Sequence, residues 1–168
     1  MKKLLMFLAC GLLITNMALA QATKFGYISS SDLLQAMPDR VKADSDLAKY
    51  ARSFQQELET MGKEYQTKVQ QFQSGEKTMT DAMKEVKMKE IQDLQNRIES
   101  TQQSAQEKVA QKKQELYGPI LDKADKAIKE IAKEKAYDYI FDASQGALLY
   151  AKEGDNILPL VKAKLGLK

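Results

Sequence analysis

The 168-residue chain contains no histidine and no tryptophan, and its single cysteine is Cys10. Imidazole is the side chain most often used as a general base, and structural zinc sites are built from Cys and His. One thiol cannot form an intrachain disulfide. No glycine-rich phosphate loop and no clustered metal-ligand spacing is found either. Asp138 and Asp142 flank a short apolar segment, but carboxylates bordering a strand are ordinarily solvated turn residues. These absences point away from an enzyme, and no cofactor is expected. Proline is also scarce: the three prolines are Pro38, Pro119 and Pro159, which leaves a long interval free of helix breakers.

Residues 1–20 read as a secretory signal peptide. Lys2 and Lys3 precede an apolar run over 4–14, and Ala18-Leu19-Ala20 supplies small residues for cleavage. The run is shorter than the ~20 apolar residues needed to span a bilayer, and Asn16 interrupts its tail. Cys10 follows Leu8-Ala9, which leaves lipid attachment as an alternative, although processing there would retain the apolar residues 12–14. Cleavage after Ala20 gives a cysteine-free chain. Without Lys2 and Lys3, 24 of the 26 basic residues face 23 acidic ones, a net of +1. That balance argues against nucleic acid as a partner, since such binders carry a basic stripe.

Residues 39–73 contain no proline and only Gly62. Leu47, Ala51, Phe54, Leu58, Met61, Tyr65 and Phe72 recur at steps of four and three, with Lys68 in the one weak slot. The opposite faces are Lys, Glu, Gln, Asp and Ser. This is a heptad-like seam, and a helix of that length runs about 50 Å at ~1.5 Å per residue. Gln73-Ser74-Gly75 forms a joint, with Thr78 or Thr80 as the next cap. Beyond it Met79, Met83, Val86, Ile91, Leu94, Ile98, Ala105, Val109 and Leu116 form a returning stripe, irregular between Val86 and Ile91. Two stretches of similar length and a short polar joint predict an antiparallel helical hairpin over 39–118, with its tip near 73–80. Gly118-Pro119 is expected to kink or end the second helix.

The remainder reads as a base. Residues 21–38 supply a strand at Lys24-Phe-Gly-Tyr-Ile-Ser29 and a short helix, and 119–168 supply a helix, two strands and a final helix. Tyr137-Asp-Tyr-Ile-Phe-Asp142 and residues 147–151 are read as a β-hairpin turning at Ser144-Gln145-Gly146. Phe25, Tyr27, Ile28, Tyr139, Ile140, Phe141, Leu148 and Leu149 are the expected packing residues of one small sheet. A base this small is expected to oligomerise to complete its core. The fold class is therefore α+β: a long helical hairpin projecting from a small β-rich base.

Phe72, Met79, Met83 and Met88 gather large, adaptable side chains near the tip and are candidates for contact with an apolar partner. The alternative is that they only close the seam. Gly62, Gly75, Gly118 and Pro119 are candidate bending points. The clustered lysines, such as Lys84 and Lys87, alternate with acids and read mainly as a solvated face.

The ordered series of signal, opening strand, Asp32-Leu-Leu segment, hairpin, Tyr137-Asp-Tyr-Ile-Phe-Asp142, Ala147-Leu-Leu-Tyr-Ala151 and terminal helix resembles the Skp (OmpH-like) family of periplasmic chaperones. The resemblance covers essentially the whole mature chain. It implies a homotrimer whose hairpins surround a cavity. It also implies ATP-independent holding of unfolded outer-membrane β-barrel proteins in the periplasm, with delivery toward the barrel-assembly machinery. The near-neutral charge departs from the strongly basic members and weighs against lipopolysaccharide as a ligand. An envelope spacer or adaptor binding one folded partner would use the same heptads.

Overall fold

The computed structural model describes residues 23–167; the signal segment, its cleavage site and Cys10 lie outside them. A strand β1, Phe25–Ile28, leads through Ser29 into helix α1, Ser30–Ala36. The Ser29 hydroxyl accepts the Asp32 N–H at 3.2 Å and so caps α1. Helix α2, Pro38–Gly75, begins on a proline, where the missing donor has no intrahelical partner to lose. After a short 3₁₀ turn, Glu76–Thr78, helix α3 runs from Asp81 to Glu134, capped by Thr80. Strand β2, Tyr139–Asp142, and helix α4, Leu158–Lys164, complete the chain.

Helices α2 and α3 lie antiparallel, as ion pairs along them record. Lys123 meets Asp39 at 2.8 Å near the base, and Lys68 meets Glu90 at 3.0 Å far out along the arm. Close to the base the Tyr117 hydroxyl also donates to Asp44. The hydrophobic core sits at the root of this arm. Leu33, Met37, Ile157 and Val161 are fully buried there, packed with Ile28, Ala43, Ile120, Ala124, Ala127 and Ile131. Four positions of α3 at steps of four, three and four (Ile120, Ala124, Ala127, Ile131) thus serve as one wall for α1, α4 and the sheet.

Of the two outcomes expected at Gly118-Pro119, a kink or an end, the end does not occur: α3 continues through Pro119. Proline inside a helix deprives the carbonyl four residues earlier of its donor, at about 3 kcal/mol. Pro119 and Glu115 are both exposed, so water can take that carbonyl. The buried run that starts at Ile120 then anchors the rest of the helix to the core.

The sheet also differs from expectation. Among the described residues it has two strands, β1 and β2, paired in parallel with Phe25 opposite Tyr139 and Ile28 opposite Asp142. Residues 147–150 form no strand and no hairpin with β2. Instead, after Gly146 in the left-handed region at φ 71°, the chain passes along the other side of β1. There Tyr27 bridges Asn156, and the Ile157 N–H donates to the Tyr27 carbonyl at 2.9 Å. Alternation along 137–151 marks extended chain but cannot say which edge it meets.

Gly26 is required by close approach. A Cβ there would lie 3.0 Å from the Tyr137 ring and 3.2 Å from Ile157 Cγ2. The inner face of β1 is therefore Gly26 and Ile28, pressed on the core. Phe25 and Tyr27 turn outward.

Candidate functional site

Two surfaces stand out: the arm, and the outer face of the sheet. On the sheet, Phe25 stacks on Tyr139 at 5.7 Å and on Phe141 at 6.0 Å between ring centroids. All three rings are about half exposed. Such offset pairs favour one another by roughly 0.5–1.5 kcal/mol beyond burial, yet their outer surfaces still meet water. Beside them Leu148 is half-buried, while Leu149 is 96% and Tyr150 82% exposed. Of the eight expected base residues, Ile28 and Ile140 join the core within one chain and Tyr27 and Leu148 are half-buried. The other four face outward.

The base is tied together by polar contacts that the sequence did not mark. Asp142 accepts from Ser30 and Ser144. The Lys24 ammonium donates to the Lys135 carbonyl at 2.6 Å and lies 4.2 Å from the Tyr137 ring centroid. Lys164 reaches from α4 to Glu130 at 3.2 Å and also to Glu134. These two carboxylates raise the Lys164 pKa, the Glu134 hydrogen bond contributing most.

Along the arm the seam changes character. In the inner arm, Met61, Leu94 and Ala105 are buried. A shallow apolar groove of about 480 Å³ opens beside them, between Phe54 and Leu58 on α2 and Ala105 and Val109 on α3. From residue 62 to residue 93 nothing is buried. The α3 stripe expected from sequence does not hold at this end: Met83 and Val86 are 51% and 57% exposed. The seam positions are taken by half-buried Lys84, Lys87 and Ile91 instead. The cause is helical phase. At 3.6 residues per turn, Val86 and Ile91 are about 140° apart around the helix. Ile91, Leu94 and Ile98 fix the phase through their packing, so Met83 and Val86 must turn aside. The irregular step was visible in the sequence; its consequence was not.

Across from this stretch, Lys68 fills the weak slot of α2. It donates to Glu90, which Lys87 also contacts at 3.4 Å. The Glu90 carboxyl is held below its usual range, chiefly by the Lys68 hydrogen bond and then by that of Lys87. Of the candidate contact residues, Phe72 and Met79 are half-buried, and Met83 and Met88 are exposed. Met79 folds over the joint, so that a Cβ on Gly75 would lie 2.6 Å from its methyl. Gly75 itself has right-handed backbone, not the left-handed form. Gly62 and Gly118 lie inside the helices with open space around them.

The described residues thus form a long two-helix arm on a small base whose sheet exposes stacked aromatic rings. No helix among the described residues is long and apolar enough to cross a membrane, and no group of three or more Cys, Asp or Glu there is placed to hold a metal. The family described as outer membrane protein (OmpH-like) matches residues 24–165, and the chain belongs to that family. The chaperone protein Skp of Photorhabdus luminescens is 27% identical over 158 residues, covering 94% of each chain. The Skp of Vibrio cholerae is 24% identical over 167 residues, covering 94% of this chain and 95% of its own. A crystal structure described as an OmpH-like outer membrane chaperone from Caulobacter crescentus superposes with a TM-score of 0.74. It covers 85% of this chain and 83% of its own at 15% identity, a likeness of fold. The chain is thus a member of the Skp/OmpH chaperone family.

Proposed function

We propose that this chain is an ATP-independent periplasmic holdase for unfolded outer-membrane β-barrel proteins, which it keeps from aggregating before membrane assembly. The observation that carries the reading is the family match over residues 24–165, nearly the whole described chain. The client's chemistry fits. Barrel strands are apolar on alternate residues and have unpaired edges until insertion. A surface of many weak contacts suits diverse clients better than one fitted pocket.

In this reading the chain is exported by a signal peptide cleaved after Ala20 and assembles as a homotrimer. The exposed rings of Phe25, Tyr139 and Phe141 support self-association, as does apolar Leu149. Three arms then enclose the client. Phe72, Met79, Met83 and Met88 meet it, and Gly62, Gly75 and the Gly118-Pro119 step let the arms adapt. The cargo passes to the barrel-assembly machinery. Neither nucleic acid nor lipopolysaccharide is a required partner.

The test is to mix the mature protein with a denatured outer-membrane barrel diluted from urea and to size the product by light scattering. A soluble complex of three chains with one client is expected. Aggregation of every barrel tried, with the trimer intact, would instead favour an adaptor for one folded partner.

A further inference from the structure

The arm is one pair of continuous helices, but its seam is built in two grades. The inner part is sealed by buried Met61, Leu94 and Ala105. Outward of Met61 and Leu94 no residue is buried until the chain has turned and come back. The next layer holds half-buried Tyr65 and Ile91, and beyond it the seam turns polar: Lys68 on α2 faces Glu90 and Lys87 on α3. Lys84, one turn further out, is half-buried as well. A charged residue at a seam position fixes register but weakens the pairing. We propose that the Lys68–Glu90–Lys87 layer is a salt-sensitive clasp, and that beyond it the two helices of the arm part and re-close without unfolding.

Three physical features support this. First, the outer helices need no nucleation of their own, because each is the uninterrupted end of a long helix. Their backbone hydrogen bonds survive parting. Secondly, little apolar contact is lost. Beyond the clasp Val69, Phe72 and Met79 are only half-buried, and Met83 and Val86 already face water. Thirdly, the connection permits it. The five residues 76–80 can span up to about 17 Å when extended, well beyond the 8–10 Å between the axes of packed helices.

What holds the outer arm shut is then largely ionic. Partly exposed pairs of this kind are each worth only ~0–1 kcal/mol and are screened by salt, whose Debye length falls to about 3 Å at 1 M. The depressed pKa of Glu90 agrees with a carboxylate held by cations on both helices. The proposal stands on the arm's own packing and does not depend on the identity of the client.

The experiment uses the full mature protein without client. Spin labels are placed on exposed positions of the outer arm (Gln70→Cys with Lys89→Cys) and, separately, of the inner arm (Gln56→Cys with Gln103→Cys). Pulsed distance measurements are made at low salt and at about 1 M salt. The outer pair is expected to give a broader distribution that extends to longer distances as salt rises, while the inner pair stays narrow. In the Lys68→Met/Glu90→Leu double variant, whose seam becomes apolar, the outer distribution should narrow and lose its salt dependence. An outer pair as narrow as the inner one at both salts overturns the proposal. So does a broad outer pair indifferent to salt, or one that the double variant leaves broad. Circular dichroism on the same samples distinguishes parting, with helicity kept, from fraying, with helicity lost; fraying also overturns it.

Discussion

The Asp142 carboxylate at the end of β2 accepts the Ser30 hydroxyl at 2.5 Å and the Ser30 N–H at 3.1 Å, joining residues 112 positions apart. It also accepts the Ser144 N–H at 2.9 Å. One side chain therefore caps the turn after β2 and fastens the start of α1. Burial pushes the carboxyl up, but these hydrogen bonds, led by the Ser30 hydroxyl, outweigh it and lower the pKa from 3.8 to about 2.

A carboxyl whose folded pKa lies below its unfolded value stabilises the fold above the unfolded value, and that stabilisation fades as pH falls toward the folded one. Asp142→Ala should therefore cost about 1 kcal/mol at pH 7, the scale of a lost cap. The difference from the parent protein should shrink between about pH 4 and pH 2. Urea unfolding at a series of pH values checks this. A difference that persists unchanged at pH 2 would show that the contact is not ionic in origin.

Ala136 follows the end of α3 with φ at 52°, the one non-glycine residue in the left-handed region among those described. The Tyr137 N–H then returns to the Ala132 carbonyl at 2.9 Å, closing the helix. A Cβ in that conformation costs roughly 1–2 kcal/mol, which glycine avoids. Ala136→Gly is expected to raise stability by about 1 kcal/mol in thermal or urea unfolding. A loss of stability would contradict this account of the turn.

Gly62 offers the opposite case. It lies inside α2 with nothing within 4 Å of where a Cβ would be. Gly62→Ala should stabilise the arm by about 0.4–1 kcal/mol, read as slower amide exchange around 58–66. If Gly62 also serves arm bending, the same variant lowers the capacity to keep a denatured barrel soluble. Slower exchange with unchanged capacity would leave Gly62 without that role.

Leu33 is fully buried where α1 meets the core. Leu33→Ala is expected to cost about 2–5 kcal/mol, the transfer term plus the cavity left behind. Because the core sits at the arm's root, near-UV signals of the base tyrosines should weaken before far-UV helicity does. Simultaneous loss of both would show that the outer arm depends on the base more than its packing indicates.

Phe141→Glu places a charge among the stacked rings of the exposed sheet face. If three chains join through that face, the variant should run as a smaller species in light scattering with its helicity intact. An unchanged mass would move the assembly surface elsewhere.

Much of this architecture was legible because helical periodicity is local. The seam from Leu47 to Phe72 followed from spacing alone, and residue type narrowed the next cap to Thr78 or Thr80, of which the structure uses Thr80. Lys68 could be seen as a weak slot, but Glu90 could not be named as its partner, because sequence gives no cross-helix register. At Pro119 the sequence left a kink and an end both open, because it could not show that Pro119 meets solvent while Ile120 is buried. The expected strand at 147–151 failed for a related reason. Alternation reports two faces, and pairing depends on which edge is free, a property of the assembled base. Asp142 looked like a solvated turn residue until the fold brought Ser30 to it.

The parallel pairing of Phe25 with Tyr139 also sets an order of events during synthesis. The first strand leaves the ribosome well over a hundred residues before its partner, a delay of roughly 6–20 s at ordinary elongation rates. Over that interval the two long helices can already zip together from the turn at Gly75, whereas β1 and its aromatic rings have nothing to lie against. Until β2 is available to it, the first strand is thus an unsheltered apolar segment of the kind that holding chaperones exist to protect.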